Sequence, residues 1–187
     1  MISAVCDACV LYSASLRDFL LRLAEDELYF PIWSEEIHSE WTRSLLRNRS
    51  DLKPENVERA RKEMNSHFPD SLVRGYEAII TTLTLPDPND RHVLAAAIHA
   101  KVKYIVTFNL GDFPKAILQL YGIEAVSPDE FVQQLIQQVP RPFLLAVNHH
   151  RLSLIRPPKT VEEYLATLEK QGLPRTVTFL REHTNDI

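Results

Sequence analysis

Apolar residues along this chain change their spacing several times, and each change marks an element. Residues 2–7 read as a short buried strand. Val10 through Leu23 follows helical spacing, with Leu16, Phe19, Leu20 and Leu23 on one face. Leu28–Trp33 is a second apolar run, predicted as a strand with a tolerated proline. Ser34 is placed to cap a helix over 35–47, with Glu35 and Glu36 in its first turn, where the helix dipole favours acids. Ile37, Trp41 and Leu45 form its buried stripe; Glu40 borders that stripe, while Glu36 and Arg43 point further outward. Pro54 starts a helix within 51–68 that is apolar at Val57, Ala60 and Met64. Tyr76–Leu85 has strand-forming composition and is predicted as a strand. A helix over 91–101 and strands over 103–108 and Ile123–Val126 follow. Ser127-Pro-Asp-Glu130 is a helix start, with Pro at the first position and Glu three after Ser.

Strands alternating with helices predict an α/β fold around a mostly parallel sheet. Beyond Pro140 only helical signals remain. Arg141-Pro-Phe opens one helix and Arg156-Pro-Pro158 breaks it. Thr160 to Glu163 is a capping box for the next, ending near Gly172, and Pro174 opens the last. The expected division is an α/β domain over 1–138 and a helical extension over 139–187.

Composition narrows the function classes. A chain of 187 residues with 45% hydrophobic and 25% charged residues suits one globular domain with an appendage. Its formal charge of −4 argues against a generally basic nucleic-acid binder. The distribution says more: residues 41–62 carry a local +4, leaving −8 for the rest. Residues 140–159 hold four Lys/Arg and no acids. An acidic site beside basic stretches suits a phosphodiester better than a cationic substrate. Four glycines and no Gly-rich phosphate loop argue against dinucleotide binding. With no cationic leader and no apolar run of bilayer length, the expectation is a cytoplasmic protein without a membrane partner. Cys6 and Cys9 have redox-like spacing, yet two small buried residues beside Asp7 is the better reading, since a zinc site lacks further ligands.

The chemistry lies in the placement of acids. Asp87 and Asp90 sit in a Pro- and Asn-punctuated turn before the helix at 91; Asp90 stands at the N-cap position, where its carboxylate either caps the helix or belongs to a site. Asp7 ends the first strand, and Asn109 and Asp112 follow the strand near 103–108. Right-handed crossovers bring strand ends and helix starts to one sheet edge, so these residues should gather where open α/β sheets bind ligands. Glu40 can lean toward the same place. An oxygen-only donor set without a Cys/His cage suits a hard divalent cation.

Asp-Pro-Asn-Asp-Arg-His-Val-Leu-Ala-Ala-Ala (87–97) together with Val-Thr-Phe-Asn-Leu-Gly-Asp-Phe-Pro (106–114) resembles the PIN-domain nucleases, in particular the VapC-type toxins of bacterial type II toxin–antitoxin pairs, over roughly residues 2–135. The resemblance implies a three-layer PIN-like fold and an endoribonuclease dependent on Mg²⁺ or Mn²⁺. It implies Asp7, Glu40, Asp90 and Asp112 as the catalytic and metal-binding acids, with Thr107, Asn109 and the extra carboxylate Asp87 in support. Some relatives carry Asp where this chain has Asn109, so the last ligand falls at Asn109 or Asp112, with Asp112 preferred. An RNA substrate and a cognate antitoxin are implied as partners, and a homodimer stays open. Arg91 and His92 are candidates for phosphate contact, or else simply exposed first-turn residues; Arg59, Arg61 and Lys62 are candidates for RNA binding. Two other readings remain: a metal-dependent phosphatase acting on small nucleotides, and a non-catalytic PIN-like module that binds RNA or protein.

Overall fold

The computed structural model describes residues 2–187. Four short apolar runs become strands: β1 (Ile2–Cys6), β2 (Tyr29–Ile32), β3 (Tyr104–Val106) and β4 (Glu124–Val126). They lie in the order β2–β1–β3–β4, and β3 runs parallel to both β1 and β4. Ala4 to Cys6 and all of β3 are buried without alternation, the pattern of parallel strands covered on both faces. The fold is therefore α/β around a parallel sheet, as the alternation predicts.

Ile2–Tyr12 and Phe30–Val126 form one compact unit, and Ser13–Tyr29 with Ser127–Ile187 form a second. The first holds α1 (Ala8–Leu11), α3 (Glu35–Asn48), α4 (Pro54–His67), α5 (Glu77–Ile80), α6 (Arg91–Ala100) and α7 (Lys115–Leu118). The second holds α2 (Ala14–Glu25), α8 (Pro128–Gln138), α9 (Pro140–Ser153), α10 (Val161–Lys170) and α11 (Pro174–Arg181). The expected boundary after residue 138 falls inside the second unit, between α8 and α9.

In the first unit α6 packs on β1 and β3. Its face from Val93 to Ala97 is fully buried, and the three small alanines let the helix lie close to the sheet. Ser34 caps α3 by accepting the Ile37 N–H at 3.2 Å. A buried polar chain then joins α3 to α4. Trp41 Nε1 donates to His38 Nδ1 at 3.0 Å, which assigns the other ring nitrogen the proton it shares with Asn65 Oδ1, also at 3.0 Å. Trp33 Nε1 donates to the same Asn65 oxygen at 2.8 Å.

Two local expectations are overturned. Tyr76–Leu85 is no strand: it forms the one-turn helix α5, and the Thr81 and Thr82 hydroxyls close it by donating to Ala78 O and Ile79 O. The place beside β2 is taken by Ser71–Val73, whose backbone bonds Trp33 on both sides, so the β-forming run finds no ladder and packs on α6 instead. The helical run from Val10 to Leu23 also breaks, at Tyr12 and Ser13, giving α1 and α2.

In the second unit α2 buries Leu16, Phe19, Leu20 and Leu23, the predicted face. Both predicted capping boxes form, at Ser127/Glu130 and Thr160/Glu163. Asp129 is buried and caps α11, accepting from Arg175 N and Thr176 N at 2.9 Å each and from the Thr176 hydroxyl at 2.7 Å. His150 is buried between Asp18 (3.0 Å) and the Tyr164 hydroxyl (2.8 Å). Among the described residues no helix is long and apolar enough to cross a membrane.

Candidate functional site

The site grows from the pairing of β1 with β3. Cys6 lies opposite Val106, so Asp7 and Thr107 leave the sheet side by side at its carboxyl edge. Both are buried. Asp7 Oδ1 accepts the Ala8 N–H at 2.6 Å and so caps α1, while Oδ2 accepts the Thr107 hydroxyl at 2.6 Å and the Cys9 thiol at 3.2 Å. Thr107 Oγ1 accepts the Asn109 N–H at 3.0 Å, which ties the loop after β3 to the same carboxylate. Burial, and then the charge of Asp7, push the Cys9 thiol up to about 12, so it stays a donor. Among the described residues neither Cys6 nor Cys9 is in a disulfide.

Asp90 ends the 3-10 turn Pro88–Asp90, directly before α6. Of the two readings of Asp90, side-chain cap or site residue, the hydrogen bonds do not support the cap. The Asp90 backbone is already helical (φ −82°, ψ −4°), and its side chain makes no capping bond. Asp87 does the local work, accepting the Asn89 N–H at 2.8 Å and holding the turn. The Asp90 carboxylate is thereby released into the cleft, where its pKa rises from 3.8 to about 6. Burial is the largest cause, followed by repulsion from Asp7, Asp112, Asp87 and Glu40. Four other carboxylates thus act on this one.

Glu40 comes from the border of the α3 stripe, and its Oε1 lies 3.0 Å from His92 Nε2. His92 is buried, with Nδ1 3.8 Å from Glu36. Burial lowers the His92 pKa, but the bond to Glu40 and the charges of Glu40, Glu36 and Asp7 outweigh it, and the net shift is upward. The imidazole therefore holds Glu40 in place. Asp112 sits half-buried on the 3-10 turn Leu110–Asp112, whereas Asn109 is exposed and lines the cleft itself.

Asp7, Glu40, Asp90 and Asn109 line one end of an open cleft of about 500 Å³. Arg91 borders a neighbouring depression, its Nε donating to Pro88 O at 2.9 Å. Arg59, Arg61 and Lys62 are not among the cleft's lining residues. Arg61 pairs with Glu58 and Glu35, Lys62 lies 3.8 Å from Glu58, and Arg59 is exposed on α4. The cleft has cationic lining of a different origin, Arg43 and Arg47 of α3, with Tyr12 and Asn48 nearby. Their spacing from Glu40, at three, seven and eight residues for the α3 members, is the helical signal that would have revealed them.

The PIN domain model matches residues 3–111, and the model described as VapC50 C-terminal domain matches residues 128–182. Among curated proteins, one from Mycobacterium tuberculosis named "Putative ribonuclease VapC50" is 34% identical over 100 residues, covering 52% of this chain and 57% of that protein. The chain thus matches little more than half the length of that relative. No solved structure gives a significant match.

Proposed function

This chain belongs to the PIN domain family, and on that premise we propose that it is an endoribonuclease using Mg²⁺ or Mn²⁺, the toxin of a bacterial type II toxin–antitoxin pair. Its substrate is then RNA and its protein partner a cognate antitoxin. The observation that carries this reading is the convergence of Asp7, Glu40 and Asp90, from three separate elements, on one open cleft.

The donor set fits a hard divalent cation. Among the described residues no group of three or more His, Cys, Asp or Glu side chains stands ready to hold a metal ion. Mg²⁺ does not require one: it keeps several waters and uses one or two carboxylates with substrate phosphate. One or two carboxylates of the set Asp7, Glu40, Asp90 and Asp112 would hold it, with Asp87 and Asn109 at the margin. A bound ion supplies charge stabilisation at the phosphate and lowers the pKa of a water.

The chain's own residues do the positioning. Thr107, Cys9 and the Ala8 N–H hold the Asp7 carboxylate from three sides. His92 holds Glu40. Asp90, free of any capping bond, keeps its oxygens for the cleft. Without a cation, these negative charges would repel a phosphodiester.

Purified protein should cut single-stranded RNA when Mg²⁺ or Mn²⁺ is added and stop when a chelator is in excess. Asp7→Asn, prepared in parallel, should lose about two orders of magnitude or more, the scale of losing one charge-stabilising group. Equal cleavage by the Asp7→Asn protein, or cleavage that survives chelation, would remove the activity from this site. Turnover of mononucleotides without cleavage of RNA would instead make the protein a phosphatase.

A further inference from the structure

On α3, Glu40, Arg43, Ser44, Arg47 and Asn48 recur at intervals of three and four residues, the spacing of one helical face, and all five line the cleft. Glu40 belongs to the acidic end. Arg43 and Arg47 follow about 4.5 and 10.5 Å further along the axis. The wall therefore changes from negative to positive within about two turns. The rise from Arg43 to Arg47, about 6 Å, is comparable to the step between consecutive phosphates of an extended strand.

Neither arginine has its charge consumed by the protein. Among the described residues neither makes an ion pair, whereas Arg61 on α4 is bound by two glutamates. Both are exposed. Tyr12, at the end of α1, lines the same cleft half-buried, and Asn48 donates to its hydroxyl at 3.4 Å, anchoring the ring against α3. Two unspent cations and an anchored aromatic ring next to a carboxylate cluster form a track for an anion that also carries flat rings. An acidic peptide would satisfy the arginines and leave the ring unused.

We infer that Arg43 and Arg47 bind successive phosphates, and Tyr12 stacks an unpaired base, of a single-stranded RNA segment running along α3 away from the carboxylates. This assignment rests on the ribonuclease reading and adds the path of the strand. A base stacked on Tyr12 is not available for pairing, so duplex RNA is excluded from this track.

Binding of a short fluorescent single-stranded oligoribonucleotide is measured with Mg²⁺ in the full chain carrying Asp90→Asn, which blocks turnover, and cleavage is measured without that substitution. Arg43→Ala and Arg47→Ala should each weaken binding and reduce the slope of log K against log salt by about 0.7. Tyr12→Leu should weaken binding roughly tenfold with the slope unchanged, and Tyr12→Phe should bind like the parent, because stacking needs only the ring. If all variants bind and cut RNA as the parent does, the track is wrong while the nuclease reading stands. If the parent neither binds nor cuts RNA, both fall. If polyglutamate displaces the RNA and Tyr12→Leu has no effect, the face serves an acidic protein and the RNA track is overturned.

Discussion

Asp90 occupies a position where capping and catalysis place the same residue type, and the hydrogen bonds separate the two roles. Asp87 holds the turn and Asp90 makes no cap. The raised pKa has a consequence with a definite sign. Stability associated with protonated Asp90 is fully present below its ordinary 3.8 and is lost as pH rises through about 6. Asp90→Asn cannot ionise, so in chelator it should match the parent near pH 4 and exceed it in melting temperature above about pH 6. It should also lose much of the stabilisation conferred by added Mg²⁺. A pH-independent difference between the two proteins would show that Asp90 does not feel the other carboxylates. Thr107 allows a second test, since it donates to Asp7 and accepts from Asn109 while fully buried. Thr107→Val keeps the shape but removes one of the three groups that hold Asp7 and takes the acceptor from the Asn109 N–H. It should cost about 1–3 kcal/mol in urea unfolding and reduce cleavage well beyond that fraction of unfolded protein. Wild-type cleavage in Thr107→Val would mean that Cys9 and the Ala8 N–H suffice to orient Asp7.

At the scale of elements, α3 decides most of the cleft, because one face carries Glu40, both arginines and Asn48. That face is held in place by the buried chain Trp41–His38–Asn65–Trp33, whose Trp41 itself also lines the cleft. Asn65→Leu would remove the acceptor shared by Trp33 and His38. We expect a loss of about 1–3 kcal/mol in urea unfolding, with cleavage reduced further than stability because Glu40 and His92 lose register. Retained cleavage per folded molecule would detach the α3–α4 bond network from the site. The fate of Tyr76–Leu85 belongs to this scale as well. Its side chains favour a strand, but a strand requires a free edge, and Ser71–Val73 already occupies the one next to Trp33.

At the scale of the whole molecule, the two units are stabilised by different means. The first relies on an apolar sheet–helix core, with Val5, Ile105 and Val93 to Ala97 wholly excluded from water. The second is a set of helices with explicit polar links: two capping boxes, the His150 pairing and the Asp129 cap. Asp129→Ala would free two backbone N–H groups and a hydroxyl of α11 from a charged acceptor. It should cost about 1.5–3 kcal/mol, read as a lower midpoint in denaturant. An unchanged midpoint would make this cap incidental to the second unit.

The sequence by itself determined whatever depends on neighbours within a few residues. Periodicity marked β1, α3, α4 and α6, and the Ser127 and Thr160 boxes marked two helix starts, because a cap and its partner lie three residues apart. It also determined that Asp7 and Thr107 end strands, and parallel topology then brings such ends to one edge. Tertiary structure decided what depends on distant chain. Whether Tyr76–Leu85 pairs as a strand was settled by a competing segment at Ser71. That His92 turns inward to Glu40 required two helices to meet across 52 positions of sequence. Arg61 and Arg47 look alike in a charge run, yet one is neutralised by Glu35, 26 positions away, and the other lines the cleft. Charge and periodicity are properties of single residues and short windows, whereas which charge remains unspent is a property of packing.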